Sequence, residues 1–366
     1  MALGGIMKKI IFIAHGGKNI GMGHVIRCMS LANTFRLKGY RVKFISKYET
    51  GQRALYDNDF EVIPYSELEE VQEGFNYGSK IELDKDLEFI QKILDEENTD
   101  ILVVDSYNVT NQFLQAIAKK VTCSLYIDDV AAFPYPVDIV LNGNISAYWL
   151  DYKTGYHNQK LLLGLEYNLI REEFRAVAKR VEFDKCNSIM ITTGASDPYD
   201  MTVKMIQILI KYNWITKYTI HVVIGSGFRD DSKNQIKALA SKNTNIILHE
   251  NPVRMSAIMM KCDLAITAGG STLYELFACG VITFAFIYAE NQRSVVETSA
   301  KKGYLFPIGE YKKINEEELI HSIKTVSENK ELRKEFVNRL QELLDCRGTE
   351  RIVSKVEEFL TEKQVL

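Results

Sequence analysis

Short β-branched runs alternate with longer amphipathic segments along almost the whole chain, and this alternation constrains the fold more than any other feature. In the first half, Ile10–Ala14, Val42–Ser46, Glu61–Ile63, Ile101–Val104, Cys123–Ile127 and Ile139–Leu141 read as strands. Helical patterns at Val25–Leu37, Asp84–Glu96 and Asn111–Lys119 separate several of them. Runs apolar on both faces, with helices between them, predict a parallel sheet covered on both sides. The second half repeats the pattern without repeating the sequence. Its strands are Ser188–Thr192, Thr219–Ile224, Ile246–Leu248, Leu264–Thr267 and Ile282–Phe286. Its helices are Met201–Lys211, Ser232–Ser241, Val253–Lys261, Leu273–Cys279 and Arg293–Lys302, and from Asn315 the chain is charged and helical with a break near Arg347–Gly348. The charge-rich segment Arg171–Asp184 lacks strand character and reads as the connection between the halves. The expected fold class is therefore α/β, with two doubly wound domains facing across a cleft, over residues 7–174 and 184–366. Residues 1–6 read as a tail ahead of a second plausible start at Met7.

Composition narrows the function classes. A chain of 366 residues suits about two domains. Its 45 basic and 48 acidic side chains leave a net charge of −3, without the cationic surface that binding to nucleic acid requires. The six cysteines are scattered, with no CxxC pair and no zinc spacing, which suits a reducing, cytoplasmic setting. The run Ile10–Ala14 is too short for a secretory signal, and nothing approaches the ~18 apolar residues of a membrane span, so stable membrane insertion is not expected. No feature of the sequence speaks to oligomeric state.

Doubly wound sheets bind ligands at the carboxyl ends of their strands. After the first strand come Gly21-Met22-Gly23-His24, where two glycines allow a sharp turn and a close approach to a ligand. The helix that follows offers free N–H groups and a positive dipole end to an anion, and that dipole favours a neutral His24 able to act as a base. The same residues also read as a plain βα turn with an exposed histidine. After a strand of the second half come Gly269, Gly270, Ser271 and Thr272, whose amides and hydroxyls suit a diphosphate, and Glu275, whose carboxylate suits a ribose diol. Thr272 and Glu275 equally spell a capping box that needs no ligand. Thr193-Gly194-Ala195-Ser196-Asp197 reads as another anion-binding loop, and Asn291 and Gln292 as amides at a helix start. Asp105, Tyr107, Asp128 and Asp129 stand just past strand ends, where each alone is ordinarily a cap or turn residue. No Walker lysine, HExxH motif or EF-hand loop is present, and the third glycine of a dinucleotide fingerprint is missing. No metal and no cofactor are expected.

The series from Gly21 to Cys28 with Leu31-Ala32 resembles the N-terminal signature of the nucleotide-sugar hydrolases of pseudaminic acid biosynthesis, within the spore-coat polysaccharide biosynthesis family. The likeness continues through Val104 to Tyr107, Ile127 to Asp129, Leu141 to Asn144, Gly164 to Phe174, Gly194 to Asp197, Ala268 to Glu275 and Asn291-Gln292. It covers about residues 8 to 310. The resemblance implies a glycosyltransferase-B fold of two Rossmann-like domains and a UDP-linked diacetamido-trideoxy sugar, cleaved to free sugar and UDP without a required metal. It makes His24 the essential histidine and puts Gly194, Gly269, Gly270, Ser271, Thr272 and Glu275 on the uridine diphosphate. Gly21, Gly23, Arg27, Tyr107, Asp129, Asn291 and Gln292 fall on the substrate side. The chain departs from the family after its first strand, where Ala14-His15-Gly16-Gly17-Lys18 replaces the usual Arg-Ala-Asp-Ala/Ser-Ser, so a different amino-sugar is an open alternative. A metal-independent UDP-sugar glycosyltransferase of the same fold is the rival expectation.

Overall fold

Among the described residues, seven parallel strands form one sheet: β1 (Lys9–Ala14), β2 (Arg41–Ser46), β3 (Glu61–Pro64), β4 (Ile101–Asp105), β5 (Cys123–Ile127), β6 (Ile139–Asn142) and β7 (Lys160–Leu163). Their order is β3-β2-β1-β4-β5-β6-β7, and the register sets Ala14 beside Asp105. Helices α1 (Gly23–Leu37), α2 (Glu49–Tyr56), α3 (Leu87–Glu97) and α4 (Asn111–Ala118) accompany this sheet. The computed structural model describes residues 7–17, 20–64, 82–152, 156, 158–181 and 184–365. The expected tail at 1–6 and Lys18 lie outside them.

A second parallel sheet repeats the order with β8 (Ser188–Thr192), β9 (Thr219–Ile224), β10 (Ile246–Glu250), β11 (Leu264–Ala268), β12 (Ile282–Ile287) and β13 (Phe306–Glu310), arranged β10-β9-β8-β11-β12-β13. Its helices are α5 (Met201–Lys211), α6 (Asp230–Ser241), α7 (Met255–Met259), α8 (Thr272–Ala278), α9 (Glu290–Lys301), α10 (Glu316–Glu328) and α11 (Lys330–Gln341). All five residues of β4, β5, β8 and β11 are buried, as sheets covered on both faces require. In each sheet the chain reverses its winding between the first strand and the fourth in sequence, β1 with β4 and β8 with β11. That switch point is where open α/β sheets carry their ligands.

Two expectations are corrected. The last helix, α12 (Gly348–Val365), belongs to the first unit, which runs to Leu169 and takes back Arg347–Leu366. Its buried stripe of Ile352, Val353, Val356, Phe359 and Leu360 recurs at helical spacing. Thr34 Oγ1 of α1 donates to Thr349 Oγ1 at 2.9 Å, and Lys363 Nζ reaches Asp138 at 2.9 Å. The segment read as a connection also belongs to a unit, since the second unit is Ile170–Cys346. Its charges find partners there: Glu173 accepts from Ser256 Oγ at 2.7 Å, and Arg180 Nη1 donates to Asp263 at 3.0 Å.

Three elements escape the periodicity. Strand β13 reads FPIGE, and Pro307 is tolerated because the strand lies at the sheet edge. Strand β7 is the other sheet's edge and only four residues long. Helix α2 carries Gly51 in its interior, which lowers its intrinsic helix signal.

Candidate active site

Asp105 ends β4 at the first switch point and is 1 % exposed. Beside it, the loop from β1 closes with Gly17 N–H donating to the Gly21 carbonyl at 3.0 Å, and Gly21 takes a left-handed φ of 75°. Gly23 opens α1 and His24 follows it, buried, with Nδ1 2.6 Å from Asp105 Oδ1. The exposed-histidine reading is therefore contradicted. An Nδ1–H held by a carboxylate leaves Nε2 as the ring's proton acceptor. The contact that orients the ring is the Asp105 carboxylate.

Arg27 lies one turn along α1, on the face that carries His24. Its Nε donates to Asp105 Oδ2 and its Nη2 to Asp105 Oδ1, both at 2.6 Å, and its Nη1 donates to Asp129 Oδ1 at 2.9 Å. Asp129 also accepts from Asn144 Nδ2 at 2.7 Å and from the Tyr107 hydroxyl. The Tyr107 ring stands edge-on to His24 with centroids 4.9 Å apart. Arg27 is thus turned toward two carboxylates of its own unit. Asn144 closes the Leu141–Asn144 stretch of the resemblance and joins the network through Asp129, a partner that its place in the sequence does not reveal.

Burial works against ionisation of Asp105, but Arg27 and His24 outweigh it and hold the carboxyl well below its ordinary range. The same contest between burial and Arg27 lowers Asp129. Asp128 goes the other way: burial raises it even though Tyr135 and Tyr152 each donate a hydroxyl at 2.6 Å. Asp128 also accepts from the N–H groups of Val130 and Ala131, which makes it the turn residue of this pair. A pocket opens beside His24 and is lined also by Asp105, Ser106, Tyr107, His15 and Lys47.

At the second unit's switch point, the loops after β8 and β11 lie together. Gly194 takes φ 90°, and a Cβ there would stand 3.8 Å from Thr272 Oγ1. Ser271 is the N-cap of α8 and its side chain makes no capping bond. Glu275 accepts from Arg171 Nε at 2.7 Å. The capping-box reading of Thr272 and Glu275 is thus contradicted. Gly269 has a packing reason: a Cβ there would stand 2.4 Å from Val296 Cγ2 of α9. Gly269→Ala is expected to force β11 and α9 apart and cost about 1–3 kcal/mol, read as a lower denaturant midpoint. A Cβ on Gly270 would meet nothing within 4 Å, so that side of the loop is open.

Two anion-site expectations change. Asp197 accepts from the N–H groups of Met201 at 2.9 Å and Thr202 at 2.7 Å, so the Thr193–Asp197 loop answers the α5 amides with its own carboxylate. Gln292, buried in the first turn of α9, accepts from Tyr288 N–H at 3.2 Å, while Asn291 beside it is half-buried. Among the described residues, no group of three or more His, Cys, Asp and Glu could hold a metal ion, and no helix is long and apolar enough to cross a membrane.

No protein-family model matches the chain. It is 27 % identical over 308 residues to an uncharacterized protein of Methanocaldococcus jannaschii, a match that covers 80 % of this chain and 58 % of that protein. The chain therefore spans less than two thirds of that relative. It is 22 % identical to the spore coat polysaccharide biosynthesis protein SpsG of Bacillus subtilis, covering 94 % and 97 % of the two chains. It is 24 % identical to the UDP-2,4-diacetamido-2,4,6-trideoxy-β-L-altropyranose hydrolase of Campylobacter jejuni, covering 81 % and 97 %. Among solved structures, it resembles MurG of Acinetobacter baumannii (TM-score 0.64, 14 % identity, 96 % and 99 % covered). A glycosyltransferase from Rickettsia africae (0.62, 14 %, 97 % and 99 %) and an S. aureus MnaA co-structure with UDP (0.66, 14 %, 97 % and 97 %) are similar as well. These likenesses show the glycosyltransferase-B fold.

Proposed function

We propose that this chain, which belongs to the family of the spore-coat polysaccharide protein SpsG and the diacetamido-altropyranose hydrolase, cleaves a UDP-linked amino-sugar into free sugar and UDP. The observation that carries the reading is the buried His24–Asp105 pair at the first switch point. His24 Nε2 takes a proton from water while the water oxygen bonds to the anomeric carbon. The anomeric C–O bond breaks, and its electron pair leaves on the diphosphate of UDP. Asp105 keeps Nδ1–H in place and balances the imidazolium that forms. Arg27 and Asp129 act through Asp105 as positioning residues, and Tyr107 walls the ring on one face.

The second unit supplies the nucleotide side. Backbone amides near Ser271 and Asn291, with the Thr272 hydroxyl, stabilise the diphosphate by hydrogen bonds and helix dipoles. Gly194, Gly269 and Gly270 let the backbone come close, and Glu275, steadied by Arg171, accepts the ribose hydroxyls. Gly21, Gly23 and Gln292 complete the substrate-side set by shaping their turns. The reaction needs no divalent cation in this reading and serves surface polysaccharide or nonulosonic acid synthesis in the cytoplasm. Glu275→Ala is expected to weaken UDP binding roughly tenfold or more, about 1.5 kcal/mol for a lost bond to a charged group, measured by calorimetry.

The likeness to a glycosyltransferase favours a second reading, in which a sugar or lipid acceptor replaces water. Incubation with a panel of UDP-amino-sugars and no acceptor separates the two. Stoichiometric UDP and free sugar support hydrolysis. UDP that appears only when an acceptor is added supports transfer, and UDP binding without release under either condition sinks both.

A further inference from the structure

Asp128 and Asp129 are neighbours past the end of β5, and each has its own set of partners. Asp128 collects four donors: the Tyr135 hydroxyl on Oδ1, and the Tyr152 hydroxyl with the N–H groups of Val130 and Ala131 on Oδ2. A carboxylate only accepts, so it fixes the sense of the bonds that follow. The Tyr152 O–H is spent on Asp128 at 2.6 Å, which leaves an oxygen lone pair for the Asn142 Nδ2 amide at 2.7 Å. Asn142 Oδ1 is thereby turned to the Asn144 N–H, which donates to it at 3.0 Å. Asn144 Nδ2 donates to Asp129 Oδ1 at 2.7 Å, and the peptide bond between Asp129 and Asp128 closes the circuit. A ring of directed bonds thus ties the turn after β5 to the turn after β6.

Both turns start from paired backbone. Asn142 is the fully buried last residue of β6, and the Asp128 N–H donates to the Leu141 carbonyl at 2.9 Å. The ring ends on the carboxylate that reaches the candidate site. Asp129 Oδ1 accepts from both Asn144 and Arg27 Nη1, and Oδ2 accepts from the Tyr107 hydroxyl. The rotation of this one group therefore sets where Arg27 and Tyr107 are held. Arg27 continues to Asp105, and the Tyr107 ring stands edge-on to His24. Tyr135 stands outside the ring: it bonds to Asp128 Oδ1 and accepts from the Ala132 N–H. The two tyrosines are thus a matched pair. Each donates to Asp128 at 2.6 Å, and only Tyr152 is linked onward to Asn142 and Asn144.

We propose that Tyr152 and Asn142 are positioning residues for the His24 site, acting through Asn144 on the Asp129 carboxylate. The turnover half of the test rests on the nucleotide-sugar reading above, and the spectroscopic half does not. In the full-length protein, the NMR resonance of the His24 Nδ1–H proton, assigned by its loss in His24→Gln, is followed in four variants. These are Tyr152→Phe, Tyr135→Phe, Asn144→Ala and the double variant Tyr152→Phe/Asn144→Ala. Either phenylalanine leaves Asp128 its other three donors, so both single variants are expected to fold. Tyr152→Phe is expected to move the His24 resonance and to lower kcat for the UDP-diacetamido sugar about tenfold with KM nearly unchanged, as a slightly misplaced catalytic group does. Tyr135→Phe is expected to leave both where they are. Asn144→Ala is expected to reproduce the effect of Tyr152→Phe, and the double variant to add nothing to it, because residues acting in series are not additive. A His24 resonance that stays put in Tyr152→Phe, moves equally in Tyr135→Phe, or moves additively in the double variant overturns the proposal. Absence of UDP release from every nucleotide-sugar by the unmodified chain defeats the hydrolase reading instead, and the resonance still decides the role of the ring.

Discussion

His24→Gln is expected to fold and bind UDP but to release UDP from the amino-sugar about 10²–10⁴-fold more slowly, the loss attributable to a missing general base. The expectation follows from the burial of His24 against Asp105: Gln fills much of the same volume and can bond to the carboxylate, yet cannot take the proton from water. Initial rates of UDP release and calorimetric UDP binding on the same preparation check both halves. Asp105→Asn is expected to impair turnover by a comparable factor while leaving His24 in place, because an amide does not enforce the Nδ1–H tautomer. Turnover retained in His24→Gln would remove His24 from the chemistry.

Arg27→Met carries the largest expected stability effect. The guanidinium makes three hydrogen bonds to two carboxylates that are almost fully buried, and its loss leaves both charges without their main partner. Removing one partner of such a buried cluster costs about 3–5 kcal/mol. Arg27→Lys keeps the charge but not the planar fork, so it recovers only part. The pH dependence has a definite sign. Asp105 and Asp129 are held below their ordinary range in the folded protein, so their contribution is present above about pH 4, where the unfolded carboxylates ionise, and is lost as pH falls through the folded values. The stability gap between the unmodified protein and Arg27→Met is therefore widest near neutrality and narrows in acid. Urea midpoints taken from pH 7 downward measure it, and a gap independent of pH would assign the effect to packing instead.

The two sheets were legible because parallel strands buried on both faces leave continuous apolar runs such as ILVVD and LAITA. Strands β7 and β13 and helix α2 were not, since β7 is only four residues long, β13 contains Pro307 and Gly309, and α2 contains Gly51. Nor could periodicity tell which sheet α12 covers, because an amphipathic stripe states only that it must be buried. In the site, the glycine turns and His24 announced themselves by position after a strand. The partners of His24 did not: Arg27 and Asp105 are 78 residues apart and Arg27 and Asp129 are 102 apart, joined only when β4 and β5 line up beside β1. The partner of Glu275 was hidden for the same reason, because Arg171, which donates to its carboxylate, is 104 residues away.

The central claim is that water, activated at His24, attacks the anomeric carbon. Turnover of the UDP-diacetamido sugar in ¹⁸O-water, without acceptor, tests it most directly by mass spectrometry of both products. The account predicts one ¹⁸O in the anomeric hydroxyl of the released sugar and none in UDP. Label in the terminal phosphate of UDP would place the attack at phosphorus and contradict it.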